Sequence, residues 1–397
     1  MVITHTSGLV DGGIFSIAYA VGSLMYYVGE YGVRKYQVSD INEDMTFTDY
    51  HSHRITSCTI MLIASLLYAA NGYFRLGYSV YKAYIMIMIC LIKVVEAYSE
   101  VYFGRFQQVG RLDVSAKTNF YRISLGVVGF CIAQIITRDM ALSMTIWFGL
   151  SVFALISSNI LVYKEFGTLE FKFRWKYIMR IFRDCLPLFL GQFLLLYIGN
   201  APKYAIDACM SDTDQACYNF IFMPVFAIGM FANFIFNPIL VKLAMRWDEG
   251  KLKPFSRIVI RQIFVIAGIT LLAIAVALTI GCPVLGIIFN ADIMEYKVDL
   301  AILMVGGGML ALVNFFAVVV TVMRYQRHLI PGFIALAFVA FLLADRTVMQ
   351  YGIRGATILY TILMAILSVV FAGITVYFIR KRARSLAAEG APESQEA

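Results

Sequence analysis

Residues 186–207 read LPLFLGQFLLLYIGNAPKYAID. The first half is an apolar run interrupted only by Pro187, Gly191 and Gln192. As a helix rising 1.5 Å per residue, the stretch is roughly 33 Å long, enough to cross the hydrocarbon core of a bilayer. Polar groups arrive only in its last turns. Asn200, Lys203 and Asp207 stand at i, i+3 and i+7, which places them on one helical face. Pro202 removes the N–H that would bond to Ile198, so a kink or an unwound turn is expected there. Lys203 and Asp207 have the spacing of an i, i+4 ion pair. Such a helix end can serve as a gate or substrate contact. It can equally be a span whose lysine reaches to the headgroups.

The rest of the chain extends this pattern. Hydrophobic residues make up 60% and charged residues 15%, against roughly 25% charged in soluble domains. That excludes an ordinary soluble enzyme. The pattern argues against a β-barrel, whose strands alternate apolar and polar residues over about 10 positions. The class is all-α: a polytopic integral membrane protein. The 33 Lys and Arg outnumber 25 Asp and Glu, for a net charge of +8. This excess needs no nucleic-acid partner, because cytoplasmic loops of membrane proteins are basic.

Eleven spans are expected near 9–29, 55–74, 78–98, 119–137, 141–163, 186–206, 218–241, 263–289, 299–323, 328–344 and 355–379. One alternating set of connections holds 25 of the 33 cations and the other holds seven, with Lys93 inside a span. The first set is therefore cytoplasmic, and so is the C-terminus. The chain's N-terminus then falls outside, with no cation before Arg34. Five spans precede the basic connection near 166–185 and six follow it. This is the pattern expected of a six-plus-six protein lacking its first helix.

The expected division is a five-span bundle over 1–165, an amphipathic interfacial linker over 166–185, a six-span bundle over 186–380 and a disordered cytoplasmic tail over 381–397. The linker mixes Phe171, Phe173 and Trp175 with Lys172, Arg174 and Lys176, as interfacial helices do. Of the seven cysteines, only Cys209 and Cys217 share a polar loop, where a disulfide between them is open.

No catalytic constellation emerges. There is no phosphate-binding GxxxxGK[ST] loop, and Gly306–Gly308 sits within a span, where it suits close helix packing or a kink. The four histidines lie outside the expected spans or, for His328, at the first residue of one, and His51 and His53 have no companion for a metal site. No catalytic residue, metal or cofactor is assigned, apart from coupling to H+ or Na+.

The candidates are polar residues in or beside the spans, because ionisable groups there are costly and mark pathways. Lys93, Glu96 and Glu100 share a face of the third span toward its inner end. Arg34, Lys35 and Arg122 lie at inner boundaries, where they also set topology. Asn233 and Asn237, beside Pro238, stand late in the seventh span, and Asn314 is deep in the ninth. These amides can bind neighbouring helices or a substrate.

Several phrases, taken in order, resemble bacterial polysaccharide-biosynthesis flippases. They are EYGVRKYQVSD (30–40), FTDYHSHRI (47–55), VEAYSEVYFGRFQQVGRLDVSAK (95–117), YIGNAPKYAID (197–207) and FIFMPVFAIGMFANFIFNPIL (220–240). These flippases are the O-antigen and capsule type of the multidrug/oligosaccharidyl-lipid/polysaccharide exporter superfamily. The resemblance implies a MATE-like fold of two helical bundles in a V around a central cavity. It also implies movement of undecaprenyl-diphosphate-linked oligosaccharides across the cytoplasmic membrane, for lipopolysaccharide O-antigen, capsule or exopolysaccharide. The first span here matches the family's second. The implied partners are the lipid-linked glycan, membrane lipids, a polysaccharide polymerase and glycosyltransferases. By the same analogy, Lys203, Asp207, Arg34, Lys93 and Glu96 are substrate or gating candidates, and Asn200, Arg122 and Asn233 join them on their positions in the spans.

Two other readings stand beside it. One is a multidrug or small-solute exporter of the same superfamily. The other is a membrane glycan polymerase or acyltransferase, against which the short outer loops argue.

Overall fold

The computed structural model describes residues 1–40, 44–166, 172–236 and 239–389, and among these it is helical with no strand. The elements of the first compact unit, Met1–Cys217, are α1 (Val2–Ser7), α2 (Leu9–Glu30), α3 (Val33–Ser39), α4 (Phe47–Arg75), α5 (Val80–Gln108), α6 (Leu112–Thr137), α7 (Met140–Phe166) and α8 (Trp175–Cys209). Helix α9 (Asp212–Phe236) begins in this unit and continues into the second, Tyr218–Ala397. The second unit adds α10 (Leu240–Asp248), α11 (Leu252–Val276), a π turn at Ala277–Gly281, α12 (Cys282–Phe289), α13 (Lys297–Val322) and α14 (Ile330–Glu389).

Among the described residues, nine helical stretches are long and apolar enough to cross a membrane. The chain is a multi-pass integral membrane protein. Helix α5 is not one of the nine, since Lys82, Lys93, Glu96 and Glu100 are spread along it. The last two expected spans form one helical stretch bent at Gly352. Its φ of 57° and ψ of −141° are open only to glycine.

Several boundaries move for identifiable reasons. Helix α4 starts at Phe47, not 55, because Thr46 and Asp49 form a reciprocal capping box. Of the described residues of the expected linker, Phe166 ends α7, 172–174 are non-helical and Trp175 to Cys185 are the first turns of α8. Its residues 167–171 lie outside the described residues. Helix α8 runs unbroken through Pro187 and Pro202, so the unwound turn that Pro202 permitted does not form. Helix α14 continues to Glu389, so residues 381–389 are helical rather than part of a disordered tail. Residues 390–397 lie outside the described residues. No disulfide joins Cys209 and Cys217.

The first unit is built around α5. Ile85, Met86 and Ile89 of α5 pack with Ile17 and Val21 of α2, Met61 of α4, and Met140 and Met144 of α7. In the second unit the glycine run of α13 packs in three directions. Side-chain atoms built at Gly306 would meet Tyr360 and Thr361 of α14, at Gly307 they would meet Ile228 and Val225 of α9, and at Gly308 they would meet Thr270 of α11. Successive helical residues point about 100° apart, so three glycines admit three neighbours at close range. On the outside, Phe264, Leu271 and Leu272 of α11 are 72%, 68% and 66% exposed. That pattern suits lipid and would be a liability in water.

Candidate functional site

Helix α2 ends in two left-handed residues, Tyr31 (φ 52°) and Gly32 (φ 69°), which turn the chain into α3. The corner is held from within. Arg54 of α4, wholly buried, donates to the carbonyl of Gly29, as does the Ser57 hydroxyl at 2.8 Å. A cation on these terminal carbonyls complements the helix dipole. Glu30 accepts the Gly32 N–H at 2.8 Å.

This corner aims Arg34 at α5. Its guanidinium donates to Glu100 at 2.9 Å and to Gln107 at 3.3 Å, and stands 5.8 Å from the Phe103 ring centroid. Lys93 donates to Glu96 at 2.9 Å and lies 4.7 Å from the centroid of Tyr19. The shared face read from the spacing of Lys93, Glu96 and Glu100 is thus occupied by ion pairs. Arg122 of α6 is buried and donates to Asn119 at 2.9 Å. It lines a narrow cleft with Ser99, Tyr102, Phe103 and Ser158, and its Nε has no hydrogen-bond partner among the described residues. Three cations and two carboxylates therefore gather on α3, α5 and α6. Such a set can exchange an internal carboxylate for an external anion.

A second group lies where α8 ends and α9 begins. Asn200 and Lys203 are buried, 6% and 5% exposed. Asp207 takes its cation from α5: Lys82 Nζ is 2.7 Å from Asp207 Oδ1 and 2.6 Å from Asp212 Oδ1. The Tyr78 hydroxyl donates to the other oxygen of Asp207. Tyr78, Lys82, Asp207 and Asp212 line an open pocket of about 480 Å³, and Asn200 and Lys203 do not.

Lys82, Tyr78 and Asp212 were not singled out from the sequence. The available signal was a lysine at the edge of an expected span, four residues after a tyrosine. Its partner is 125 residues away, and no local pattern links them. In the second unit, Asp299 and Arg354 form another pair missed by sequence reasoning, with Nε–Oδ1 at 2.5 Å.

The remaining candidates scatter. Asn233 is in α9, but its side chain lies outside the described residues, as do Asn237 and Pro238. Asn314 is half-buried on α13. The two imidazoles of His51-Ser-His53 part company. His51 Nε2 is 2.7 Å from the Tyr98 hydroxyl, whereas His53 packs on Phe182 with centroids 4.2 Å apart.

Comparison with known proteins adds family and fold. No curated protein matches significantly. The chain is similar in fold to the inward-facing conformation of a multidrug resistance MATE family transporter of the MOP superfamily. That similarity has a TM-score of 0.68 at 13% identity, covering 97% of this chain and 92% of that one. It is also similar to a MATE protein in the bent conformation, with a TM-score of 0.53 at 14% identity, covering 97% and 89%. A MOP superfamily transporter from Pyrococcus furiosus, described as having reverse polarity of its binding pocket, gives 0.54 at 13% identity, covering 96% and 88%. A family model described as polysaccharide biosynthesis protein matches residues 2–244. This all-helical membrane chain, with the fold of MOP superfamily transporters, belongs to the polysaccharide biosynthesis protein family.

Proposed function

We propose that this protein is a flippase. It moves polyprenyl-diphosphate-linked oligosaccharide repeat units from the inner to the outer leaflet of a bacterial cytoplasmic membrane, by alternating access of two helical bundles, with its C-terminus in the cytoplasm. The family supports the glycan, and the fold supports transport rather than catalysis. The observation that carries the reading is the convergence of Arg34, Lys93 and Arg122 on the charged face of α5.

A diphosphate cannot enter hydrocarbon unaided, because burying an unpaired charge is prohibitive. At the inner group it would take the place of Glu96 or Glu100 on Arg34 and Lys93. Charge would then be exchanged rather than stripped. The isoprenoid chain stays in lipid throughout.

A clean deletion in a host without a redundant flippase should leave lipid-linked repeat units on the inner leaflet. Normal delivery to the outer leaflet in that deletion would refute the assignment. The fold neighbours that are multidrug transporters keep one alternative in view, a small-solute exporter. A drug-resistance profile that follows expression of this chain, with glycan delivery unchanged by deletion, would favour it.

A further inference from the structure

Lys82 is a buried cation shared by two carboxylates from elements far away in sequence. Its side chain is 9% exposed, and that of Asp207 is 1% exposed. Groups so far out of water persist as ions only when each has its partner. The tyrosine one turn earlier completes the set. Its hydroxyl donates to Asp207, its ring packs over Gly72, and the Lys82 ammonium stands 4.5 Å from its centroid. The Gly72 carbonyl accepts the N–H groups of Leu76 and Tyr78, at 3.0 and 3.2 Å. This closes the turn that presents both side chains.

A separate contact draws the same elements together. A Cβ placed at Gly13 of α2 would overlap the main-chain carbonyl of Asp212. The second turn of α2 and the first residue of α9 therefore meet backbone to backbone. Beside them, Asp11 accepts from the Tyr81 hydroxyl at 3.1 Å. One end of the first unit is thus cinched across α2, α5, α8 and α9. The distribution of cations assigns this end to the outside.

We propose that Tyr78, Lys82, Asp207 and Asp212 form an outer latch that holds the α8–α9 turn against α5 and α2, and that it opens in each transport cycle to release the headgroup. This role rests on the transport reading above. The pocket beside the latch makes opening feasible. It is open and partly polar, lined by Ser79, Ser211 and Thr213 as well as the charged groups. Separated charges there pass to water rather than to hydrocarbon, which lowers the cost of parting them. The latch also sits at the start of α9, the helix by which the chain passes from one unit to the other.

Two measurements on the full chain test this, and neither depends on the other. In cells, Leu76→Cys and Thr213→Cys place thiols on two elements that line the pocket, the end of α4 and the start of α9, with the latch intact. A short, reducible bifunctional thiol reagent should abolish glycan delivery, and reduction should restore it, with each single-cysteine variant as control. Full delivery while mass spectrometry shows the bridge in place would overturn the latch. On purified protein, Asp212→Asn leaves the buried Lys82–Asp207 pair standing. It should raise amide hydrogen exchange over residues 206–214 roughly tenfold, as loss of one charged contact does. Gly13→Ala should do the same with every charge retained. Unchanged exchange in both variants would refute the latch whatever the substrate proves to be. Raised exchange without any glycan phenotype in the deletion strain would keep the latch and discard the flippase assignment.

Discussion

Arg34 of α3 donates to Glu100 of α5 at 2.9 Å across 66 residues of sequence, so this cation already holds a carboxylate. If an incoming diphosphate must displace that carboxylate, the two residues have opposite effects on binding. Arg34→Ala should weaken binding of a polyprenyl diphosphate by about tenfold or more, the scale of a charged hydrogen bond. Glu100→Gln should strengthen it by removing the competitor. Titration of purified protein with the lipid, followed by native mass spectrometry, measures both. Equal affinity in all three proteins would remove Arg34 from the substrate path.

Lys93 and Glu96 separate structure from recognition. Their 2.9 Å pair is partly buried, with side chains 11% and 28% exposed. Exchanging the two, Lys93→Glu with Glu96→Lys, keeps an attraction one turn apart but moves the positive charge away from Tyr19. Thermal stability in detergent should stay near wild type, while glycan delivery falls by about tenfold. Wild-type delivery from the swapped pair would make it a structural bridge.

How much of this was legible depends on the distance between the residues concerned. The oily runs and the helical spacing of Lys93, Glu96 and Glu100 are local, so they could be read directly. The capping box at Thr46 and Asp49 was also local, yet the polar stretch around His51 and Arg54 masked it. Those side chains turn out to be buried and engaged, and α4 starts early. The Lys82–Asp207 pair was out of reach because no periodicity relates the two positions. Pro202 misled for another reason. The unwound turn it permitted does not form, because packing outweighs the one lost hydrogen bond.

Lys203 is 5% exposed on α8, so truncating it confuses packing with charge. Lys203→Met keeps most of the volume and removes the charge. We expect this variant to fold at wild-type levels and to deliver about tenfold less glycan, as a lost charged contact would cause. Delivery equal to wild type at matched protein level would reduce the residue to packing. Lys203→Ala should lower the amount of folded protein in either case, by leaving a cavity.

Asp299 and Arg354 clamp the start of α13 to α14. Arg354 contacts Asp299 at 2.5 and 3.1 Å, and the Thr357 hydroxyl donates at 3.0 Å. The carboxylate is buried, but the arginine side chain is 48% exposed, so solvent screens the pair. Asp299→Asn should cost about 1 kcal/mol in stability, less than a fully buried pair. Arg354→Lys should cost part of that, since an ammonium cannot reproduce the two-point contact. Denaturant unfolding of the detergent-solubilised protein measures both. An Asp299→Asn protein as stable as wild type would show that the clamp contributes nothing.

The glycines of α13 give the sharpest contrast with glycines elsewhere. Cβ atoms at Gly306 and Gly307 would stand 2.7 Å from Tyr360 and 3.0 Å from Ile228, whereas a Cβ at Gly268 or Gly373 would meet no atom of a neighbouring element within 4 Å. Tyr360 is fully buried, so it has no room to withdraw. Overpacking of this kind costs about 1–3 kcal/mol. Gly306→Val should therefore lower the yield of folded protein and its thermal midpoint. Gly268→Ala and Gly373→Ala should be neutral or slightly stabilising, because alanine is the better helix former by about 1 kcal/mol. Fluorescence-detected size exclusion over a temperature series ranks all three. If Gly306→Val matched Gly268→Ala, the close approach of α13 and α14 would not be what the glycine run secures.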